Sequence, residues 1–286
     1  MLVTGNKSYH PQSLSIRLRA DGFSFFVCDP QANSLIRGEH FSVPEGENLA
    51  TRLQAEIKRP DYFNRQIDQA FVLVDTPSIH VPLEEFRRDE AADLFHFTFA
   101  DHDAHAERVA YTILPELESA ELYAIPFDVE EAILQYYPMA RFFAARAMLT
   151  ERLLHHYQDA TDEAHRLYVC LRDDRIDLVA FNDNRLRFAN SFITSQAANI
   201  QYFVLNTWQM LGLDAEADRL VILSEAPTAN AGAASAASDL AALQQGFGLY
   251  LRHVDTLTPE SLFPRVPLAR EKQIPLDLKA LLLNRI

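Results

Sequence analysis

Glycine is scarce in this chain, which has only 8 glycines among its 286 residues. Phosphate loops of the Walker and dinucleotide-binding types need glycines at fixed spacing, because glycine lets the backbone approach the phosphate closely. Neither motif occurs, and no Gly-x-Ser-x-Gly nucleophile elbow is found. The sequence therefore offers no motif for a catalytic residue, and we assign none.

Cysteine and long apolar runs are also lacking. Cys28 and Cys170 are the only cysteines, and each falls in a predicted strand, where a buried reduced thiol is the usual state. No segment has the apolar length of a membrane span, and the first twelve residues lack the apolar region of a signal peptide. These absences predict a cytoplasmic protein that has no disulfide bond and does not bind membranes.

Positive charge is in deficit. The chain has 26 Lys and Arg against 40 Asp and Glu, which gives a formal net charge of -14. A surface that binds nucleic acid must neutralise phosphates, so this balance argues against a nucleic-acid partner.

What the chain does contain is a strand pattern that occurs twice, at residues 14–29 and 167–182. In each copy, two apolar strands are joined by an acidic turn. The positions that match are Leu14 with Leu167, Leu18 with Leu171, Arg19 with Arg172, and Asp21 with Asp174. A repeat of this length predicts two related half-domains with a cleft between them.

The elements after each copy also match, because three strands, a helix and a fourth strand follow in the same order. Leu14, Ile16 and Leu18 alternate with polar residues, which predicts a first strand with one buried face. The helical crossover makes the fourth strand parallel to its neighbour, so each sheet is mixed. In the second copy, Ser195 is predicted to cap the helix, and residues 249–254 are predicted to form the last strand.

The predicted organisation has four parts. They are an N-terminal tail (1–12), a first subdomain with inserted strands (13–158), a linker (159–166) and a second subdomain (167–286).

Residues 13–27, SLSIRLRADGFSFFV, resemble the N-terminal pattern of an uncharacterised bacterial family with the actin-like ATPase fold. The duplicated meander with crossover helices is also similar to the wider superfamily of that fold, which includes sugar kinases and heat-shock chaperones. The resemblance implies an α/β fold with duplicated ribonuclease-H-like domains, mixed five-stranded sheets and actin-like ATPase architecture.

The resemblance also implies where a nucleotide would lie, since the superfamily binds ATP between its halves. The phosphate loops correspond to the turns at Asp21–Gly22 and Asp173–Asp174, and the adenosine segment corresponds to the region with Glu225 and Gly232. These six residues are the candidate cofactor-binding residues.

Both phosphate turns depart from the superfamily pattern. Phe23 is bulky where the backbone should approach phosphate, and Arg175 stands where an active member should have glycine. Asp173, Asp174 and Asp177 place three carboxylates in a turn that should receive an anion, and their repulsion opposes phosphate binding unless Mg²⁺ intervenes.

We therefore expect a non-catalytic or weakly nucleotide-binding protein of this fold, acting through contacts with an unknown protein partner. The apolar surface near residues 228–238 and the C-terminal helix are the two places where this partner is expected. No cofactor is expected, although ATP with Mg²⁺ would bind if the cleft is functional. The alternative is an active Mg²⁺-dependent ATPase or small-molecule kinase, in which Asp21 and Asp173 or Asp174 hold the metal.

Metal binding and nuclease activity are two other functions that the residues allow us to compare. Residues 101–105, Asp-His-Asp-Ala-His, contain ligand types suited to zinc or manganese, but a solvated loop explains them equally well, so no metal site is assigned. A nuclease with a ribonuclease-H-like core would need a carboxylate inside the first strand, and residues 13–19 have none.

Overall fold

The computed structural model describes residues 11–64, 66–172, 174–224, 233–263 and 266–285. The first half of the chain begins with a three-strand meander, a helix and a fourth strand. These are β1 (Gln12–Arg19), β2 (Gly22–Asp29), β3 (Ser34–Ser42), α1 (Leu49–Ile57) and β4 (Ile67–Val74).

An inserted segment follows before the fifth strand of the sheet. The insertion comprises β5 (Ser78–Pro82), α2 (Ala91–Thr98), β6 (Glu107–Leu114), β7 (Ser119–Pro126) and α3 (Phe127–Leu134). The fifth strand is β8 (Arg141–Ala144), which runs directly into helix α4 (Ala145–Gln158).

The second half repeats the order of the first without the inserted strands. It comprises β9 (Arg166–Leu171), β10 (Arg175–Asn182), β11 (Arg185–Ile193), α5 (Ala197–Met210), β12 (Arg219–Ser224), α6 (Ala233–Phe247) and β13 (His253–Leu257). A short helix, α7 (Pro259–Leu262), and a closing helix, α8 (Leu276–Arg285), end the fold.

The two five-stranded sheets have the same topology. Their strand orders are β3-β2-β1-β4-β8 and β11-β10-β9-β12-β13. In each sheet the first three strands are antiparallel, and the fourth and fifth run parallel to the first. Leu14 pairs with Val27 and Ala70, just as the equivalent Leu167 pairs with Ala180 and Leu220. The predicted mixed five-stranded sheets and their duplication are therefore confirmed.

The inserted strands form a small third sheet in the order β5-β7-β6. Helix α2 packs on this sheet through Ala91 and Phe95, which join a separate apolar cluster with Val81 and Leu122. The larger core lies between the two halves and includes α4 and α8, and the α8 side chains Leu278, Leu281 and Leu282 are buried in it.

Strand β1 differs from its prediction in a way that bears on function. Both of its faces are buried, so Ser13, Ser15 and Arg17 are inside the molecule rather than facing solvent. The second face is covered by the C-terminal part of the chain, where Asp277 of α8 contacts Arg17. This packing partner lies 260 residues away in the sequence, so the alternation within β1 could not reveal it.

Two local predictions are wrong. Ser195 does not cap α5, because the helix begins one residue later after Gln196, and no side chain caps it. The last strand lies at 253–257 rather than 249–254, and Leu249 and Tyr250 are exposed in the turn after α6. The apolar residues 249–251 follow the helix as a turn in which Leu251 alone is buried.

Candidate functional site

The candidate site lies where the carboxyl ends of parallel strands from both sheets meet. In open α/β sheets, ligands bind at this edge. Arg17 lies near the end of β1, Asp75 directly follows β4, and Arg172 directly follows β9. Ion pairs join these three residues, so side chains from both halves converge at one place.

Asp277 of α8 is held by two guanidinium groups. The Arg17 Nε donates to both carboxylate oxygens at 3.1 Å, and its Nη2 donates to Oδ2 at 2.8 Å. Arg172 Nη2 donates to the same Oδ2. The carboxylate is fully buried, so these pairs and its bond from the Leu278 amide replace its hydration.

Asp75 lies on the other side of the same arginines. Its Oδ2 accepts from Arg17 Nη2 at 2.5 Å, and its Oδ1 accepts from Arg172 Nη1 at 3.0 Å. Arg175 Nη2 also contacts Oδ1. Asp75 thus joins β4 of the first half to the β9–β10 turn of the second.

Asp177 completes this cluster from strand β10. Its Oδ2 lies 3.5 Å from Arg172 Nε, its Oδ1 lies 3.9 Å from Arg175 Nε, and Ser191 donates to Oδ1 at 2.6 Å. We call the six charged residues the cleft cluster: Arg17, Asp75, Arg172, Arg175, Asp177 and Asp277. Three guanidinium groups thus face three carboxylates.

A second group of buried charges continues from the cleft cluster into the inserted sheet. Arg146 of α4 donates to Ser191 Oγ at 3.3 Å and to the Ser78 carbonyl at 2.7 Å. Its Nε donates to Glu121 Oε1 at 2.8 Å, and the other Glu121 oxygen lies 2.6 Å from His80 Nδ1. Polar contacts therefore run without a break from α8 through both halves to β5 and β7.

The pKa values of the carboxylates follow from this pairing. Burial alone would raise the pKa of Asp277, but the Arg17 and Arg172 guanidinium groups hold it well below its usual range. Burial would likewise raise the pKa of Glu121, but Arg146 and His80 lower it to about 2. Burial lowers the pKa of Arg175, and the nearby Asp177 opposes this shift. The carboxylates of Asp277 and Glu121 are therefore ionised at neutral pH.

The residues predicted from the resemblance lie at the turns after β1 and β9 or outside the described part of the chain. Asp21 is exposed in the β1–β2 turn and pairs with Arg19 at 3.0 Å. Asp174 is exposed in the β9–β10 turn. Asp173, Glu225 and Gly232 lie outside the described residues, so the assignment of these six residues to a nucleotide cleft stays a prediction.

Gly22 has a structural reason to be glycine that does not involve a ligand. A Cβ atom there would lie 2.2 Å from the Phe41 carbonyl oxygen, because β3 passes close to the start of β2. The neighbouring Phe23 is buried and stacks on Phe41 at 5.0 Å between ring centroids. The backbone of this turn is thus packed against β3.

The sequence reasoning missed most of the cleft cluster. Arg17 and Arg172 lie in the repeated strand pattern, but no sequence motif assigns a role to them, to Asp75 or to Asp277. Asp177 was expected to add repulsion to an acidic turn, whereas it is buried beside Arg172 and accepts from Ser191. One available signal was the pair of charged residues, Asp277 and Lys279, that alternates with leucine at the start of the closing helix.

The string at 101–105 forms a loop with its own internal contacts. His102 Nδ1 lies 2.7 Å from Glu107 Oε1, and Asp103 accepts from the His105 amide at 2.8 Å. Across the residues that the structure describes, no group of three or more His, Cys, Asp and Glu side chains is arranged to hold a metal ion. Nor does any helix within those residues have the length and apolar character needed to cross a membrane.

Comparisons with known proteins give the family and the fold. A family model described as "Protein of unknown function (DUF3822)" matches residues 6–234. No curated protein matches the sequence.

Solved structures are similar over nearly the whole chain. A Bacteroides thetaiotaomicron protein, described as having an actin-like ATPase fold and unknown function, has a TM-score of 0.74 and 21% identity, with 99% of both chains covered. A structure of the PilM–PilN type IV pilus biogenesis complex matches with a TM-score of 0.50 and 11% identity, covering 96% of this chain and 98% of that one. At these identities the similarity establishes the fold alone.

These matches confirm the resemblance carried by residues 13–27 and by the duplicated meander. The chain belongs to the DUF3822 family of proteins of unknown function, and it has the actin-like ATPase fold.

Proposed function

We propose that this protein is a non-catalytic member of the actin-like ATPase fold, a bacterial pseudo-ATPase that acts in the cytoplasm through contacts with another protein. The observation that carries the proposal is the cleft cluster. Side chains of the chain itself occupy the edge of the sheets at which a ligand of this fold would be expected.

Charge balance is the first reason. The three arginines of the cleft cluster would suit a phosphate, but each of them is already paired with a carboxylate of the same cluster. A phosphate would have to displace Asp75 or Asp277 and leave a buried carboxylate without a partner. Breaking a buried ion pair in this way costs about 3–5 kcal/mol.

The second reason is that neither the carboxylates nor the backbone of the first hairpin suits a Mg²⁺-nucleotide. Mg²⁺ prefers carboxylate oxygens and retained waters, yet the oxygens of Asp75 and Asp277 accept from guanidinium groups. The α-carbon of Gly22 faces the Phe41 carbonyl oxygen of β3, so the chain itself already occupies this side of the first hairpin. The residues present therefore fit a Mg²⁺-nucleotide poorly, and we derive no catalytic step.

Separate observations support the reducing compartment and the role in protein contacts. Cys28 and Cys170 are buried and form no disulfide bond, and burial raises the pKa of Cys28 to about 12, which keeps it unreactive. A protein of similar fold is found in a complex with a second protein, PilN. Association with a partner therefore has a precedent among structures of this fold.

The proposal is tested by titrating the protein with ATP and ADP, with and without Mg²⁺, and following its melting temperature and ATP turnover. A ligand of the native state raises the melting temperature by mass action, so we expect no shift at millimolar nucleotide and no turnover. Asp21→Asn and Asp174→Asn are the matched variants. A Mg²⁺-dependent shift or turnover that both substitutions abolish would overturn the proposal in favour of an ATPase or kinase.

A further inference from the structure

Helix α2 packs on the small sheet formed by the inserted strands and carries apolar side chains on its outward face. Ala91 and Phe95 are buried against the small sheet. Leu94 and Phe97 point the other way, and their exposed fractions are 36% and 87%. A phenylalanine that is nearly fully exposed beside a second apolar side chain on the same helix face is typical of a contact surface.

The surroundings of this apolar pair are strongly acidic. Glu90, Asp93, Leu94 and Phe97 follow the i, i+3, i+4, i+7 spacing that places them on one side of a helix. Residues 84–103 contain seven exposed carboxylates, which belong to Glu84, Glu85, Asp89, Glu90, Asp93, Asp101 and Asp103. The same stretch has only two basic residues other than histidine, Arg87 and Arg88.

Neither arginine neutralises these carboxylates. Arg87 Nη1 donates to the backbone carbonyls of Glu84 and Phe86, and Arg88 lies over the Tyr111 ring at 5.5 Å. Within the described ranges of the chain, no Lys or Arg forms an ion pair with any of the seven carboxylates. The negative potential around Leu94 and Phe97 is therefore uncompensated by this subdomain.

We infer that the outward face of α2 is the docking surface for a basic segment of a partner protein that carries an apolar anchor. The anchor packs on Leu94 and Phe97, and lysines or arginines around it face Glu90, Asp93 and their acidic neighbours. Buried aromatic contacts supply most of the binding energy in such interfaces, while complementary charges set specificity and association rate. This inference rests on the proposed role in protein contacts and gives that role a location.

Other exposed apolar side chains also have apolar neighbours. Met139 lines a cavity with the half-exposed Phe63, and Leu249 is next to the exposed Tyr250 in the turn after α6. The feature that distinguishes the α2 pair is the run of seven exposed carboxylates around it.

Of the two places expected from the sequence, α8 has most of its leucines buried, including Leu278, Leu281 and Leu282. The side chains of residues 228–238 lie outside the described part of the chain, so that expectation stays a prediction.

The test uses the full chain and three fluorescent helical peptides. One is amphipathic with leucine and lysine, the second has the same leucines with glutamate, and the third keeps the lysines but replaces leucine with serine. We expect the leucine–lysine peptide alone to bind, and we expect rising salt to weaken it, because exposed charges are screened.

Variants assign the binding to α2. Phe97→Ser should weaken the leucine–lysine peptide about tenfold or more, as expected for an aromatic anchor, and Glu90→Lys with Asp93→Lys should do the same. Met139→Ser is the control for general loss of exposed apolar surface and should leave binding unchanged. Melting temperatures of all variants should stay near that of the unsubstituted protein, since the replaced side chains are exposed.

Three results would overturn the inference. They are no binding of the leucine–lysine peptide, binding that Phe97→Ser does not change, and a dimer in sedimentation experiments that Phe97→Ser dissociates. The last result would assign the face to a second copy of the chain. None of them bears on the nucleotide titration, so failure of this inference and failure of the proposed function are distinguishable.

Discussion

The two β-hairpins that begin the two halves have the same strand pairing but different surroundings. In the first, Arg19 is partly exposed and pairs with the exposed Asp21 across the turn. In the second, the equivalent Arg172 is buried and pairs with Asp75 and Asp277 from other parts of the chain. One arginine of a repeated pair thus stays at the surface, while the other joins the two halves.

Three further residues of the cleft cluster break the symmetry of the repeat. By the same alignment, Arg17 corresponds to Cys170, Arg175 to Gly22, and Asp177 to Ser24. Each of these three charged residues therefore has an uncharged equivalent in the other half. The duplicated scaffold thus supplies the strands, whereas much of the contact between the halves comes from positions where the two copies differ.

The largest expected effect comes from the equivalent arginines. Arg172→Ala leaves the buried carboxylates of Asp75 and Asp277 short of a partner, so the free energy of unfolding should fall by about 3–5 kcal/mol. Arg19→Ala, its matched control, removes a partly exposed pair and should cost about 1 kcal/mol or less. Urea unfolding of both variants makes the measurement. If both variants lose the same free energy of unfolding, Arg172 contributes no more to stability than its equivalent Arg19 does.

The second prediction extends the comparison to the inserted subdomain through Glu121. Its pKa is about 2 in the folded protein against 4.5 as the ordinary value. A carboxyl group with a lowered pKa stabilises the fold above its ordinary pKa, and this contribution disappears as the pH falls towards the folded-state value. At about 1.4 kcal/mol per pKa unit, the contribution at neutral pH is on the order of 3 kcal/mol.

The variant Glu121→Gln removes the charge of this carboxylate. It should be less stable than the unsubstituted protein at neutral pH, and the gap between their free energies of unfolding should narrow as the pH falls from about 4.5 towards about 2. Urea unfolding at a series of pH values measures the gap. Glu116→Gln is the control, because Glu116 is more than half exposed, and its gap should be small at every pH. A gap for Glu121→Gln that does not change with pH would contradict the pairing with Arg146 and His80.

The third prediction concerns the glycine that distinguishes the first hairpin from the second. Gly22→Ala places a methyl group against the Phe41 carbonyl oxygen, so β2 and β3 must separate locally, at a cost of about 1–3 kcal/mol. Gly46→Ala is the control, because its positive φ adds strain but no atom lies within 4 Å of the added Cβ. Its cost should be about 1 kcal/mol. If the two variants are equally stable in thermal unfolding, the close approach of β3 does not explain Gly22.

The smallest effect is expected at the carboxylate that the superfamily resemblance points to. Asp21→Asn removes an exposed charge whose ion pair among the described residues is with Arg19 of its own turn, and the change in the free energy of unfolding should be within about 0.5 kcal/mol. Chemical denaturation provides the comparison with Arg172→Ala. If Asp21→Asn lowers the free energy of unfolding as much as Arg172→Ala does, the first hairpin also contributes to the contact between the halves.

Much of the scaffold could be predicted because its signals are local. The alternation of Leu14, Ile16 and Leu18 and the helical spacing of Ile200, Val204 and Trp208 depend only on neighbouring residues. The parallel fourth strand follows from the helical crossover that precedes it. Predictions at element ends were weaker, as at Ser195, because a cap depends on the backbone conformation of a single residue.

The amino-acid sequence alone predicts the duplicated order of strands and helices, the mixed sheets, the buried thiols of Cys28 and Cys170, and the departures from the phosphate-loop pattern at Phe23 and Arg175. Which charged side chains meet becomes visible only in the folded molecule. Arg17 and Asp277 are 260 residues apart, and Arg172 and Asp75 are 97 apart, so no local pattern marks them as partners. The physical reason is that periodicity reports which face of an element is apolar, whereas a buried ion pair is fixed by how separate elements pack and exclude water.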